Sequence, residues 1–157
     1  TSGPGMCLKS ELIGLASITE LPLIICNIQR GGPSTGLPTK NEQSDLLQSM
    51  FSRNGDSPIP IIAAHSSSDC FDCAIEAARI AITYKTPVIL LSDLYIANGA
   101  EPWLIPNVSD LPDLEVPFAD PNEDYVVYKR DPSTLARDQA ITGQIGLEHR
   151  IGGLEKN

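Results

Sequence analysis

Helical and strand patterns alternate between residues 6 and 93, and this order constrains the fold more than any other feature of the sequence. Apolar residues at helical spacing predict three helices, and short apolar runs predict three strands. The expected order is a helix at 6–19, a strand at 22–28, a helix through Leu46, Leu47 and Met50, a strand at 59–64, a helix at about 71–82 and a strand at 87–91. Strands joined through helices lie parallel. We therefore expect an α/β fold with an open parallel sheet and flanking helices.

The same patterns predict which faces and strands are buried. The first helix is expected to cover the sheet with a stripe through Leu8, Leu12 and Leu15, which Ile13 and Ile18 widen. The strand at 22–28, rich in Ile and Leu, is expected to be buried, whereas Pro60 places the strand at 59–64 toward an edge. The core face of the third helix is expected to carry Phe71, Ile75, Ala78 and Ile82, after a cap signal at Ser66-Ser67-Ser68-Asp69.

A stiff polar loop from Gln29 to Thr39 follows the first predicted strand directly. It places Arg30 at the carboxyl end of that strand, the edge where open parallel sheets bind ligands. A guanidinium there can hold a carboxylate or phosphate with two parallel hydrogen bonds, so a small acid is the leading ligand. The alternative is that Arg30 pairs with a structural carboxylate such as Asp45 or caps a neighbouring carbonyl, and position alone leaves both open.

Thr39, like Arg30, allows a functional and a structural interpretation. It could line the pocket and limit the size of a substrate side chain. It could also cap the second helix, because Thr39-Lys40-Asn41-Glu42 has the form of a capping box, and the two roles are compatible. The turn at Thr1, Ser2 and Gly3 precedes a helix, where free amides favour an anion or a polar cofactor edge, although a plain tight turn explains it as well.

Other polar residues carry weaker signals. Ser92-Asp93 ends the third strand and could face a ligand cleft, and His65 could act there as a base, but no triad accompanies His65 or His149. Cys70 and Cys73 form a single C-x-x-C pair, which cannot complete a tetrahedral metal site. The favoured interpretation is that they are two small residues of a packed helix. Tyr95 and Trp103 are expected to pack. No catalytic or metal-binding residue is assigned.

The composition of the chain limits which partners it can bind and where in the cell it is expected. Twenty acidic against 11 basic residues give a net charge of −9, which disfavours nucleic acid and anionic membrane as partners. No apolar run approaches the roughly 20 residues of a membrane span. The four cysteines lack the spacing of a disulfide scaffold, so a reducing, cytoplasmic location is expected.

The chain divides at about residue 100. From Glu101 onward, prolines break every candidate helix, so we expect residues 1–100 to form the α/β domain and 101–157 an extended Pro-rich arm that packs on a neighbour or leads to the next domain. The start at Thr1, without Met and without a strand before the first helix, suggests a piece of a longer protein.

Five separated segments, in order, resemble the alpha subunit of 2-oxoacid:ferredoxin oxidoreductases of the 2-oxoglutarate type. They are Thr1-Ser2-Gly3-Pro4-Gly5, Gln29 through Thr39, Glu42-Gln43-Ser44-Asp45-Leu46, Tyr95-Ile96-Ala97-Asn98-Gly99, and Gly146 through Glu155. The resemblance implies a partial thiamine diphosphate-binding fold of the pyrimidine type. It also implies that Arg30 binds the 2-oxoacid carboxylate, that Thr39 shapes the side-chain pocket, and that Thr1, Ser2 and Gly3 lie near the cofactor.

The implied reaction is the oxidative decarboxylation of 2-oxoglutarate to succinyl-CoA, with electrons passing to ferredoxin and coenzyme A as co-substrate. The diphosphate, its Mg and an iron-sulfur cluster are expected mainly on a partner beta subunit, and the chain alone is expected to be inactive. The alternatives are a related pyruvate or branched-chain 2-oxoacid enzyme, or a non-catalytic module that binds a dicarboxylate through Arg30.

Overall fold

The computed structural model describes residues 1–149, and within them three parallel strands form one sheet in the order β1-β3-β2. The strands are β1 (Leu23–Gln29), β2 (Ile61–Ala63) and β3 (Pro87–Asp93). All seven residues of β3 are buried because β3 lies between the other two. The prediction of an open parallel sheet is therefore confirmed, as is the edge position of β2. The expectation that β1 is buried throughout is wrong, since it is the other edge strand and its first two residues are exposed.

The helices are α1 (Gly3–Ile18), α2 (Leu46–Phe51), α3 (Asp69–Tyr84) and α4 (Leu94–Asn98), with a short 3-10 helix at Val108–Asp110. Helix α1 begins one turn earlier than predicted, with Pro4 in its first turn, where proline loses no hydrogen bond. Helix α4 was not predicted. Asp93 starts it by accepting hydrogen bonds from the amides of Tyr95 and Ile96.

The side chains of β3 alternate between two helix layers. Ile89 and Leu91 pack with Met6 and Ile13 of α1 on one face of the sheet. Val88 and Leu90 point to the other face, where they pack with buried side chains of α3, namely Cys73, Ala77 and Ala81. This alternation is the period of two of an extended strand, and it makes β3 the centre of the core.

The predicted faces of the two long helices are wrong except at Ile13, which is buried as expected. Leu8, Leu12 and Leu15 of α1 are 83%, 49% and 47% exposed, whereas Met6, Ile13 and Ala16 are buried. On α3 the buried residues are Cys73, Ala77 and Ala81, and the predicted residues flank them, half-buried. In both helices a small side chain sits on the buried face, which lets the helix backbone approach the sheet closely.

The capping box predicted for the second helix is also wrong. Helix α2 begins at Leu46 with Asp45 at the cap position, and Thr39 lies in an exposed turn well before it. The Glu42 carboxylate instead accepts a hydrogen bond from the amide of Gly32 in the preceding loop. The Gly32 amide has no partner in a helix or a strand, so it needs a side-chain acceptor such as this carboxylate.

The segment after residue 100 docks on the carboxyl end of α1. Glu20 forms ion pairs with Arg130 and Arg137, and Gln139 donates a hydrogen bond to the Glu20 carbonyl at 3.2 Å. Single bridges, Phe118 with Gln139 and Arg130 with Arg137, fold this segment back on itself. Its described part thus packs against its own chain, where we expected a neighbour or another domain. The division at residue 100 stays a prediction, and positions 150–157 of the arm lie outside the described residues.

Candidate anion-binding site

The loop after β1 is held in a fixed shape by its own backbone. The Gly31 amide donates to the Lys40 carbonyl at 2.9 Å, and the Leu37 amide donates to the Gly31 carbonyl at 2.7 Å. Gly36 has a φ of +70°, and a Cβ there would clash with the Gly31 carbonyl oxygen. Glycine is therefore required at this position for the loop to close on itself.

Arg30 lies at the start of this loop, at the carboxyl end of β1, as predicted. Its Nη2 donates to the Thr35 carbonyl at 2.8 Å. Its Nε is buried and has no hydrogen-bond partner among residues 1–149. The sequence allowed two structural roles for Arg30, and the contact with a neighbouring carbonyl is the one present. Both Arg30 and Asp45 lie within the described residues, and no ion pair joins them. The guanidinium thus keeps one donor without a partner, and a buried donor of this kind favours an acceptor.

A cavity of about 570 Å³ opens beside Arg30. Its walls come from three elements: the loop, the first turns of α1, and the segment that leads into α2. The lining residues are Gly3, Pro4, Cys7, Leu8, Arg30, Gly31, Gly32, Pro33, Ser34, Thr35, Ser44, Asp45 and Gln48. Arg30 is the only Lys or Arg among them. A single cation in a mostly neutral cavity is suited to orienting one carboxylate of a small acid.

Buried polar groups form one wall of this cavity. The Asp45 amide donates to Gln29 Oε1 at 2.9 Å, and Asn27 Nδ2 donates to Asp45 Oδ2 at 3.1 Å. A Cβ on Gly3 would lie 3.0 Å from Asp45 Oδ2, so the first turn of α1 packs tightly against this carboxylate. Gln48 Nε2 donates to the Gly3 carbonyl at 3.1 Å, which ties that turn to α2.

The predicted site residues are brought together only in part. Gly3 lines the same cavity as Arg30, as the sequence suggested. Thr1 pairs with β1 through its backbone, donating to the Cys26 carbonyl and accepting from the Ile28 amide, each at 2.8 Å. Thr1 and Ser2 do not line the cavity. Thr39 is exposed and does not line it either.

Sequence reasoning gave Asp45 only a pairing role with Arg30 and overlooked Gln48. One signal was available, because Asn27 and Gln29 are polar positions in an otherwise apolar strand, and both are buried. A buried polar side chain needs a partner, and here Asp45 is the partner of both.

A second cavity, of about 420 Å³, contains His65 and Tyr95. His65 is 83% exposed, and its Nδ1 lies 2.6 Å from Asp69 Oδ2. The His65 amide, together with this ring contact, lowers the pKa of Asp69. Tyr95 is 75% exposed, so its expected packing role is wrong. Trp103 does pack, since its ring centroid lies 5.3 Å from that of Phe71. His149 Nδ1 lies 2.8 Å from the Leu147 carbonyl oxygen.

Asp93 does not face a ligand cleft as expected. It is buried, and besides starting α4 it accepts a hydrogen bond from Gln43 Nε2 at 2.6 Å. Cys70 and Cys73 are free thiols, and Cys73 is buried in the core on α3, which agrees with the packing interpretation. Burial and the Asp69 carboxylate raise the pKa of Cys73 to about 11. No group of three or more metal-ligating side chains occurs within the described part of the chain.

Comparisons with known proteins agree with the resemblance. A family model described as "Pyruvate flavodoxin/ferredoxin oxidoreductase, thiamine diP-bdg" matches residues 1–157. The chain is 61% identical over 155 residues to the 2-oxoglutarate oxidoreductase subunit KorA of Mycobacterium tuberculosis, which covers 99% of the chain and 24% of that protein. It is 39% identical over 123 residues to the 2-oxoglutarate synthase subunit KorA of Methanothermobacter marburgensis, covering 78% of the chain and 33% of that protein.

The fold also matches a solved structure. The 2-oxoglutarate:ferredoxin oxidoreductase from Magnetococcus marinus, with 2-oxoglutarate, coenzyme A and succinyl-CoA bound, superposes with a TM-score of 0.85 and 33% sequence identity. The match covers 99% of this chain and 27% of that chain. The chain thus spans about a quarter to a third of the length of the relatives that it matches.

Proposed function

The chain belongs to the pyruvate flavodoxin/ferredoxin oxidoreductase family of thiamine diphosphate-binding domains, and on this premise we propose that it is part of the alpha subunit of a 2-oxoglutarate:ferredoxin oxidoreductase. The reaction is the oxidative decarboxylation of 2-oxoglutarate to succinyl-CoA, with electrons passing to ferredoxin. The observation that carries this proposal is Arg30, the only Lys or Arg among residues 1–149 that lines the cavity at the carboxyl edge of the sheet. The names of the relatives support 2-oxoglutarate as the acid.

Arg30 binds one carboxylate of the substrate and so fixes its orientation. The unpartnered Nε supplies one donor. The Nη2, now on the Thr35 carbonyl, can exchange that neutral acceptor for a charged one. A hydrogen bond between two charged groups is stronger than one to a carbonyl, so the exchange favours the bound acid.

Thr39 shapes the pocket for the substrate side chain, and Thr1, Ser2 and Gly3 lie near the cofactor. These roles rest on the resemblance of their segments. A place in the cavity beside Arg30 supports this role for Gly3. Thiamine diphosphate, when bound, supplies the nucleophilic carbon for decarboxylation. The residues of this chain bind and orient the acid.

The other components of the enzyme lie mainly on a partner beta subunit. These are the Mg that accompanies the diphosphate and an iron-sulfur cluster, for which residues 1–149 offer no set of ligands. Coenzyme A and ferredoxin are the remaining reactants. A cytoplasmic location is part of the proposal and is supported by the free state of all four cysteines. None of the described helices has the length and apolar character needed to cross a membrane.

A second substrate class has specific support. Relatives from Aeropyrum pernix and Sulfurisphaera tokodaii, 44–46% identical over 98 or 99 residues, are named 2-oxoacid:ferredoxin oxidoreductase subunits without a stated acid. Pyruvate and branched-chain 2-oxoacids therefore belong in the substrate panel. A non-catalytic module that binds a dicarboxylate is the remaining alternative, and it predicts binding without turnover.

The test is dye reduction by the assembled enzyme, with coenzyme A and each 2-oxoacid in turn. We expect 2-oxoglutarate to give the highest kcat/KM, and Arg30→Ala to lower it by about tenfold to a hundredfold, because a charged hydrogen bond to the substrate is lost. Arg79→Ala is the matched control, since Arg79 pairs only with Glu76 on the surface of α3. A higher kcat/KM for another acid would contradict the proposed substrate. An unchanged kcat/KM in Arg30→Ala would mean that Arg30 has only a structural role.

A further inference from the structure

We infer that Glu42 is a positioning residue that holds the Arg30 loop in the shape that binds the substrate carboxylate, an inference that rests on the function proposed above. Glu42 lies outside the residues that line the cavity, so it acts on the substrate only through the loop.

Two contacts cross the base of the loop side by side. Glu42 Oε2 accepts a hydrogen bond from the Gly32 amide at 3.0 Å, and the Lys40 carbonyl accepts one from the Gly31 amide at 2.9 Å. The carboxylate lies so near that a Cβ on Gly31 would come within 3.4 Å of Oε2. Because Arg30 directly precedes these two glycines, the contacts fix the backbone from which its guanidinium extends.

The role needs an acceptor oxygen at this position rather than a negative charge. Glutamine offers a carbonyl oxygen on a side chain of the same length, so Glu42→Gln keeps the contact with Gly32 and removes the charge. Alanine removes both. Because a carboxylate near an anion-binding loop disfavours anions, removal of the charge alone is not expected to weaken substrate binding.

Gln43 provides the matched control because it is the next residue of the same segment and makes its contact elsewhere. Its Nε2 donates to Asp93, which is 2% exposed. Gln43→Ala therefore takes a donor from a buried carboxylate and lowers stability without touching the loop. A variant at Glu42 therefore tests the contact with the Arg30 loop, and Gln43→Ala tests only the attachment of residues 42 and 43 to the rest of the fold.

The experiment compares Glu42→Ala, Glu42→Gln and Gln43→Ala in the assembled enzyme. Three quantities are measured: KM and kcat for 2-oxoglutarate by dye reduction, the Tm, and hydrogen exchange of the loop amides by mass spectrometry. Glu42→Ala is expected to raise KM by about threefold to tenfold with little change in kcat, and to speed exchange in the loop. Glu42→Gln should restore both to the wild-type values. Gln43→Ala should lower Tm and leave KM unchanged.

An unchanged KM in Glu42→Ala overturns the inference, and so does an equal rise of KM in Gln43→Ala. If Glu42→Ala does not assemble, Glu42→Asp replaces it, since the shorter side chain keeps the charge and withdraws the acceptor; it too must raise KM. If the wild-type enzyme turns over a different 2-oxoacid, the proposed substrate is wrong, and the Glu42 inference is decided by the KM for that acid. If no 2-oxoacid is turned over, both fall.

Discussion

Burial divides the four cysteine thiols by their reactivity. Cys7 and Cys26 are exposed, Cys70 is half-buried and Cys73 is buried. For Cys73, removal from water and the nearby Asp69 carboxylate both disfavour the thiolate, which raises its pKa to about 11.

We predict that iodoacetamide at pH 8 labels Cys7 and Cys26 in the native protein and leaves Cys73 unmodified, as read by mass spectrometry. A thiol with a raised pKa stabilises the fold below its ordinary pKa of 9.0, and this stability is lost as the pH rises toward about 11. Labelling of Cys73 should therefore appear only in that range. Protein unfolded in guanidinium, in which all four cysteines should react, is the control; rapid labelling of native Cys73 at pH 8 would contradict the prediction.

At the scale of elements, the Glu20 cluster, formed by Glu20, Arg130 and Arg137, joins the end of α1 to a segment more than a hundred residues away in sequence. Arg137 is only 10% exposed at its side chain, and its Nη2 also donates to the Thr19 carbonyl at 3.3 Å. Two cations beside the last carbonyls of a helix are favoured by the helix dipole. The cluster therefore stabilises both the helix end and the docked segment.

Glu20→Gln is expected to loosen this segment, because two arginines lose their charged partner while the side chain keeps its length. Trypsin should then cleave after Arg130 and Arg137 about five to ten times faster than in the wild type, as read by mass spectrometry over time. Glu76→Gln is the control, since it breaks an exposed pair with Arg79 on α3. An equal acceleration in the control, or none in Glu20→Gln, would show that the cluster does not hold the segment.

The elements themselves were largely predictable, because spacing and turn residues are local signals. Parallel pairing followed from the order of helices and strands, and Arg30 followed from the end of β1. The helix faces were not predictable in the same way. Helix α1 carries Leu or Ile on several sides, so the periodicity included Ile13 but did not separate it from the exposed leucines, and it missed Met6. The cap at Thr39 failed because Glu42 serves the preceding loop, a contact that depends on the folded loop.

Docking of the last described segment could not be predicted from the sequence at all. Glu20 and Arg137 are separated by more than a hundred residues, and nothing local in either stretch specifies the partner. Only one wall of the cavity beside Arg30 was predictable, since Asp45 and Gln48 reach it through the tertiary packing of α2 against the first turn of α1.

At the scale of the whole molecule, large apolar side chains are exposed along two of the helices. The outer side of α1 carries Leu8, Leu12 and Leu15, and α2 exposes Leu47 and Phe51 at 68% and 71%. The chain also spans only about a quarter of its Mycobacterium tuberculosis relative.

We predict that the 157-residue chain, studied alone, binds a hydrophobic dye such as ANS through the outer side of α1. The double variant Leu8→Glu/Leu12→Glu should lower the fluorescence by about half, because it places two charges in the apolar stripe. Lys9→Glu changes the charge of the same helix without reducing its apolar area and should leave the signal unchanged. Circular dichroism must show the same helix content in all three proteins, and an undiminished signal in the double variant would contradict the prediction.

The position of β3 determines when the sheet can form during synthesis. Within the described structure, β3 is the strand that joins β1 and β2 into one sheet, and it is the last of the three strands to leave the ribosome. A nascent chain that ends at Tyr84 contains the sequences of α1 and α3 but lacks the strand that lies between β1 and β2 in the sheet. We expect such a chain to expose its apolar strands until Pro87–Asp93 emerges and inserts. Chaperone binding to stalled nascent chains should therefore fall sharply once residue 93 has cleared the exit tunnel.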